Sequence, residues 1–310
     1  MSEVLSEASW TQRRDSHHER VTALVGAYLD RRGHGTSHPV VDFLFTYYRL
    51  RPVQLARWHP GFGVSLTGPA SQAYARWSGY RRTDGAVTVD PDLLARRRPT
   101  VEFVVGLLDA TAGRPAHFGC FGLHEWAMVY RAAPAEVRHR AVPLRLGSAG
   151  TDAVVESMPL RCTHFDAFRF FTGAARSRNG AQLTRQTQQA TEQPGCLHAT
   201  MDLYKWGAKL LPLLDSEIVM DAFELAYRAR VLDMRASPYD LSAFGYHPIC
   251  IESPSGRAEY VRQQAAIAER AAAVRQALLT KCRALLETVG QSFNTRDRSQ
   301  RYTSPAGCPA

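Results

Sequence analysis

The chain has 310 residues, of which 45% are hydrophobic and 22% charged, a composition typical of a globular protein with a sizeable core and not of a disordered or fibrous chain. The net charge of +9 permits an anionic ligand or nucleic acid but does not require one, because only three of the 38 basic residues are lysine and such arginine excess is common in GC-rich genomes. Six scattered cysteines, with no Cys-x-x-Cys pair, argue against a disulfide framework and a thiolate zinc site.

The ends of the chain and its apolar runs suggest where the protein works. No apolar run is long enough to cross a bilayer, and the acidic N-terminal segment lacks the apolar centre of a signal peptide. We therefore predict no membrane partner and a cytoplasmic location. Polar, aperiodic ends predict flexible tails over residues 1–15 and 294–310, with a single helical domain over residues 16–293. Nothing in the sequence indicates the oligomeric state.

Hydrophobic residues recur at helical spacing through most of the chain. In chain order, the pattern predicts helices over residues 17–29, 40–50, 99–112, 120–131, 134–138, 194–211, 216–235 and 257–287. Residues 59–98 are rich in glycine, arginine and proline and predict an irregular segment with a short strand near 85–89. Residues 142–146 and 160–165 predict short extended segments. The predicted fold class is mainly α, a single compact multi-helix domain with a few short strands.

One short segment, residues 192–206, brings together a glutamate, a cysteine, a histidine, an aspartate and a lysine where a loop is predicted to run into a helix. His198, Asp202 and Lys205 are four and three residues apart, so all three can lie on one helical face. A face with an imidazole, a carboxylate and an ammonium group is either a buried polar network or a functional site.

Polar residues interrupt apolar stretches elsewhere as well. His124 stands among aromatic residues, and on an extended segment His164 and Asp166 would point to the same side, where the carboxylate could orient the imidazole. Asp221 and Glu224 lie on one stripe of a predicted helix and could bind a metal or form an exposed ion-pair ladder.

Polar residues recur most densely in three segments, residues 164–166, 192–205 and 233–239. We hypothesise that these three segments form one site.

Five segments of the same region carry a family signature: CTHFDAFRFFT (162–172), LTR (183–185), EQPGCLHATMDLYKW (192–206), LDMRASPYDL (232–241) and GRAEYV (256–261). They resemble a group of bacterial proteins commonly labelled 3-methyladenine DNA glycosylase, and the resemblance covers the chain from about Cys120 to Arg270.

The resemblance implies an N-glycosidic bond hydrolase that releases an alkylated purine by carboxylate-assisted hydrolysis, with DNA or a small purine-like ligand as partner and no cofactor. Such chemistry needs an aromatic pocket for the base, a carboxylate, and positive charge for phosphates. The expected catalytic residues are Asp202, Asp233, His198, His164 and Asp166. The expected ligand-binding residues are Trp206, Phe170, Tyr239, Arg185, Lys205, Arg235 and Glu192.

The same residues fit a second class of protein, a helical metalloenzyme that acts on a small molecule. Mixed histidine and carboxylate ligands suit non-haem iron or manganese, and helical scaffolds build such sites by aiming ligands inward from several helices. The expected metal ligands would then come from His164, His198, Asp202, Glu192, Asp221, Glu224 and His124. A third hypothesis is a non-catalytic protein that binds its ligand in the same aromatic pocket.

Overall fold

The structure is a computed structural model that describes residues 3–35, 37–48, 50–133, 135, 137 and 141–301, with side chains described up to residue 288. The strands are β1 (Glu3–Leu5), β2 (Val64–Thr67), β3 (Tyr80–Thr83) and β4 (Ala86–Val89). The helices are α1 (Glu7–Gly33), α2 (Asp42–Thr46), α3 (Pro52–Leu55), α4 (Pro91–Ala112), α5 (Leu123–Ala127), α6 (Gly147–Ser157), α7 (Phe165–Phe168), α8 (Gly173–Arg176), α9 (Gln188–Thr191), α10 (Leu197–Lys209), α11 (Ser216–Arg235) and α12 (Pro254–Arg301). Short 3₁₀ helices span Pro69–Arg76 and Ser242–Phe244. The prediction of a single compact, mainly α domain with a few short strands is confirmed.

The longer helices form the frame that carries the interior polar residues. Helices α10 and α11 pack against each other along their lengths, and α12 packs against both of them and against α4. Asp215 begins α11 by accepting a hydrogen bond from the backbone N–H of Ile218, a typical N-cap that satisfies a donor left free by the first turn. Within α10 nearly every side chain is buried, so this helix is an interior element.

The four strands form a small sheet in the order β1-β2-β4-β3. Strand β1 pairs with β2 in parallel, with Leu5 opposite Leu66, and the other two pairings are antiparallel. The structure therefore differs from the flexible tail predicted for residues 1–15, since residues 3–15 form β1 and the start of α1. The indole of Trp10 is buried and donates to the backbone carbonyl of Thr67, which anchors this segment to the sheet.

Other predicted elements differ in their bounds. The aromatic helix predicted over 40–50 is limited to α2, and Pro52 begins the separate helix α3, as expected for a residue that cannot continue a preceding helix. The predicted C-terminal tail is helical as far as Arg301, while residues 302–310 and most of the predicted 134–138 helix lie outside the described residues. None of the described helices combines the length and apolar character needed to cross a membrane.

Candidate metal centre

A short helix, α5, carries the first histidine of the site into the core. The helix begins after Gly122, whose left-handed backbone (φ +74°) and close approach to Ala236 and Tyr260 leave little room for a side chain. The indole of Trp126 donates to the backbone carbonyl of Ala236, just past the end of α11. Helix α5 is thereby fixed against α11. His124 consequently contacts Asp233, which lies more than a hundred positions further along the chain.

The first cluster consists of His124, His198 and Asp233. Each residue offers a ligand atom within 4.8 Å of the other two, and all three side chains are buried. His124 Nε2 lies 2.8 Å from Asp233 Oδ1, while His124 Nδ1 lies 3.4 Å from the sulfur of Cys120. The rings of His124 and His198 are edge to face, with centroids 4.5 Å apart. Two histidines and a carboxylate therefore converge on one small volume.

The second cluster lies beside the first and consists of His164, Glu192 and Asp202, all buried and again with ligand atoms within 4.8 Å of one another. His164 Nε2 is 3.2 Å from Glu192 Oε1 and 3.3 Å from Asp202 Oδ2. The side chain of Gln188 donates to Glu192 Oε1 at 2.6 Å and so orients that carboxylate. His198 joins the two clusters, since its ring centroid is 5.3 Å from that of His164.

Glu192 and His198 come from the two sides of a tight turn that begins α10. A Cβ atom on Gly195 would lie 2.8 Å from the backbone carbonyl oxygen of His117, so only glycine fits there. The side-chain oxygen of Gln193 accepts hydrogen bonds from the backbone N–H groups of Gly195 and His117. These contacts fix the turn and thereby the direction in which His198 enters the core.

A lysine links the second cluster to a further carboxylate. Lys205 Nζ lies 2.7 Å from both Asp202 Oδ2 and Asp166 Oδ2, and its side chain is only 10% exposed. The imidazole of His164 therefore faces Glu192 and Asp202 and not Asp166, which corrects the expectation that Asp166 orients it. Asp166 instead lies among cations, with Arg169 Nε at 3.2 Å and Arg185 at 3.4 Å.

The protonation of the three histidines differs because their neighbours differ. Burial opposes a charge on His124 and His164, but the carboxylates beside them raise the pKa of both imidazoles, that of His124 well above its ordinary value. Burial and the positive charge of its neighbours lower the pKa of His198 well below the ordinary value. His198 is therefore neutral at physiological pH, the form in which imidazole binds a metal.

The pKa values of the three carboxyl groups are shifted in opposite directions. Burial opposes the charge on Asp202, but Lys205 and His164 overcome it and lower the pKa of Asp202 to about 2. Burial raises the pKa of Glu192 and of Asp233. Asp202 is therefore ionised at neutral pH, whereas burial favours the protonated form of Glu192 and Asp233.

The geometry of both clusters suits metal ligands better than hydrogen-bonded pairs. No described residue makes a hydrogen bond with His124 Nε2, Asp233 Oδ1 or either ring nitrogen of His164, although all are buried. At 2.8 to 3.3 Å the nitrogens and oxygens are close enough, but the N–H directions miss the oxygens. Donor atoms about 2.1 Å from a shared ion, at right angles to one another, stand about 3 Å apart. Each cluster therefore has the donor types of a divalent-ion site, with its ligand atoms within 4.8 Å of one another.

A cavity of about 1180 Å³ leads from the surface to this polar interior. Its lining includes His198, Glu125 and Arg230 at the buried end and Arg185 at the exposed end. Arg230 is almost fully buried and contacts Glu125 at 2.7 Å and Asp233 Oδ2 at 3.4 Å. A molecule in this cavity would therefore reach His198, one residue of the first cluster.

The structure brings most of the predicted site residues together. Asp202, Asp233, His198, His164, Asp166, Glu192, Lys205 and His124 lie in the two clusters or contact them, and Tyr239 and Arg185 line the cavity. Phe170 lies near its exposed end, with Arg169 4.4 Å over its ring. The three segments that were expected to form one site are thus neighbours in space.

Four predicted residues lie elsewhere. Asp221 and Glu224 form ion pairs with Arg20 of α1 on the outside of α11, because they occupy the face of that helix opposite Asp233. Arg235 donates to the backbone carbonyl of His247 and does not line the cavity. Trp206 packs on Phe103 of α4, with Lys205 and Lys209 over its ring, so it belongs to the core and offers no stacking surface.

Sequence reasoning missed Tyr48 and Arg230, which both line the cavity. The phenol oxygen of Tyr48 is buried without a hydrogen-bond partner among the described residues, and burial raises its pKa well above the ordinary value. Arg230 stands three residues before Asp233, the same spacing that marked Asp202 and Lys205, and it interrupts an apolar helix. That spacing was the signal that could have identified it.

Comparison with known proteins adds no assignment to this geometry. The chain was compared with protein-family models, curated proteins and solved structures, and none of them matches it.

Proposed function

We propose that this protein is a helical metalloenzyme that binds two divalent ions, iron or manganese, in adjacent histidine–carboxylate sites and acts on a small molecule held in the adjoining cavity. The observation that carries the proposal is the pair of buried three-residue clusters, whose nitrogens and oxygens lie at ligand spacing without hydrogen bonding to one another. Unpaired buried polar atoms are costly and rare in folded proteins, so six ligand-forming residues in one place call for a partner.

The donor set indicates the kind of metal. His124, His198 and Asp233 make up the two-histidine, one-carboxylate set typical of non-haem iron, whereas His164, Glu192 and Asp202 form an oxygen-rich set that also suits manganese. With no thiolate in either set, a structural zinc site is disfavoured. When bound, such ions would supply Lewis acidity or redox chemistry next to the cavity.

The surrounding residues would orient the ligands and supply charge. Gln188 and Lys205 hold the carboxylates of Glu192 and Asp202, and Cys120 contacts the distal nitrogen of His124, as partners of metal-bound side chains commonly do. The buried end of the cavity presents the phenol of Tyr48, a hydrogen-bond donor without a protein partner among the described residues. Its raised pKa keeps that phenol protonated and able to donate to a substrate.

The glycosylase hypothesis remains a separate proposal with stricter geometric needs. It requires Asp202 or Asp233 to face the sugar of a flipped nucleotide. Both carboxylates are almost fully buried, and each already contacts a histidine and a cation. A nucleotide would have to reach them through the cavity, so the metal hypothesis accounts better for the buried histidines. The non-catalytic binding hypothesis leaves those histidines without a role.

Metal analysis of protein purified without chelator tests the proposal. We expect up to two equivalents of iron or manganese by plasma mass spectrometry, retained on gel filtration, and the loss of the first-cluster ion in Asp233→Asn and His198→Ala. Asp221→Asn is the matched control, because it removes a carboxylate on the same helix that pairs with Arg20. Metal-free protein that reloads with neither ion, while releasing 3-methyladenine from alkylated DNA, would contradict the metal hypothesis and support the glycosylase.

A further inference from the structure

The exposed end of the cavity carries more positive than negative charge. Arg169, Arg185 and Lys209 line it, and the one carboxylate they approach is Asp166, which also binds Lys205. Lys209 makes no ion pair with any described residue, and the positive charge of Lys205 adds to burial in lowering the pKa of Lys209. Arg169, Arg185 and Lys205 therefore share a single carboxylate while Lys209 pairs with none among the described residues, and an added anion would relieve the repulsion among these four cations.

The two arginines are held in place, but their N–H donors are not all used. The side chains of Arg169 and Arg185 are 43% and 61% exposed, and each meets Asp166 at 3.2 to 3.4 Å. Their guanidinium groups lie over the rings of Phe170 (4.4 Å) and Phe165 (5.3 Å), which restricts their movement. A guanidinium has five N–H donors, so both arginines keep donors for a carboxylate or similar anion.

Behind these cations the wall of the cavity is aromatic. Phe43 and Tyr47 stack with centroids 4.7 Å apart, and Tyr48 meets both of them edge-on. The guanidinium of Arg230 lies 4.2 Å over the ring of Phe43, so Phe43 offers a bound ring its edge. All three residues line the cavity, and the buried phenol of Tyr48 has no partner among the described residues. Flat rings favour offset or edge contacts with a further ring, and the phenol offers a donor at the buried end.

We infer that the cavity takes an aromatic carboxylate, with its anionic group at Arg169, Arg185 and Lys209 and its ring against Phe43 and Tyr47, which directs the opposite edge of the ring toward Tyr48 and His198. This inference rests on the proposed function for its assignment as substrate, but the binding it describes needs no metal. The substrate class of this site would thus be set by the cations at the exposed end of the cavity and by the aromatic residues behind them.

Titration calorimetry with three probes tests the assignment: 2-naphthoate, 2-naphthamide and octanoate. The amide keeps the ring without the charge, and octanoate keeps the charge without the ring. We expect 2-naphthoate to bind roughly ten-fold more tightly than either of the others, the difference that one or two charge-assisted hydrogen bonds or an aromatic contact supplies. The double variant Arg169→Gln/Arg185→Gln loses this preference over the amide, and Tyr47→Leu loses the preference over octanoate.

Arg283→Gln is the matched control, since this exposed arginine pairs with Asp109 on α4, well outside the cavity lining. Equal affinities for naphthoate and naphthamide, or naphthoate binding unchanged in the double variant, would overturn the inference. Each titration is run on chelator-treated and on metal-loaded protein. Selective naphthoate binding by a protein that takes up no metal would support this inference and contradict the metal proposal. Metal uptake without selective naphthoate binding would support the metal proposal and contradict this inference.

Discussion

His124 Nε2 lies 2.8 Å from Asp233 Oδ1 in the protein interior, yet neither atom makes a hydrogen bond with any described residue. Other buried histidines of the chain are satisfied: His59 Nδ1 lies 2.7 Å from the hydroxyl of Tyr80, and His17 Nε2 lies 2.9 Å from the backbone carbonyl of Leu55. The unsatisfied imidazoles belong to the two clusters, so they are a property of the site and not of buried histidines in this fold.

Metal binding should release protons. The carboxylates beside them raise the pKa of His124 and His164 in the metal-free protein, which favours the protonated imidazoles, and a protonated imidazole must lose its proton to become a ligand. The affinity for metal should therefore rise with pH until the pH exceeds the pKa values of His124 and His164. Titration of manganese into weakly buffered protein with a pH indicator should show net proton release as the sites fill. His198→Ala should leave proton release by the second site in place, because the ligands of that site are His164, Glu192 and Asp202.

Removing the metal should destabilise the fold. The two clusters bury three carboxylates in a small volume, and bound cations would neutralise them. A ligand that binds only the native state at about a thousand times its dissociation constant stabilises by about 4 kcal/mol, which corresponds to a fall in melting temperature of roughly 10 °C on chelation. Calorimetry of metal-loaded and chelator-treated protein measures the shift. An identical melting temperature for both preparations would speak against ions at this site.

Lys205→Met should be strongly destabilising. It leaves Asp166 and Asp202 without the buried ammonium group that contacts both at 2.7 Å, and breaking a buried ion pair in this way costs about 3 to 5 kcal/mol. Lys281→Met is the control, since that lysine is 49% exposed and pairs with Asp215, and exposed pairs contribute about 1 kcal/mol or less. Urea unfolding of both variants gives the two free energies, and equal losses would contradict the role assigned to Lys205.

Acid should weaken the protein through His59, away from the site. Burial lowers the pKa of His59 to about 4. The unfolded chain therefore binds one more proton than the native state between pH 6.5 and about 4, so stability falls as pH drops through this window, by up to about 3 kcal/mol. His59→Gln should flatten that part of the stability curve measured by urea unfolding at several pH values. A curve as steep as that of the parent protein would assign the acid sensitivity to other groups.

Elements set by local contacts were predictable from the sequence. Helix α11 matches the predicted residues 216–235, because its N-cap at Asp215 and its apolar spacing are properties of neighbouring residues. The segment around His198 was singled out for the same reason, since Asp202 and Lys205 had to share its helix face. Hydrogen bonds and side-chain spacing within one helix depend on few residues, so the sequence determines them directly.

Pairings between distant segments came only from the tertiary structure. Asp233 meets His124 because Trp126 fixes α5 to the end of α11, and nothing near either residue in the sequence specifies that contact. Trp206 resembled a stacking platform but packs on Phe103, since the side of α10 that carries it faces α4. The sequence alone thus determined which helices form and which polar residues they carry. How the helices pack decided which of those residues face one another, because burial depends on every neighbouring element at once.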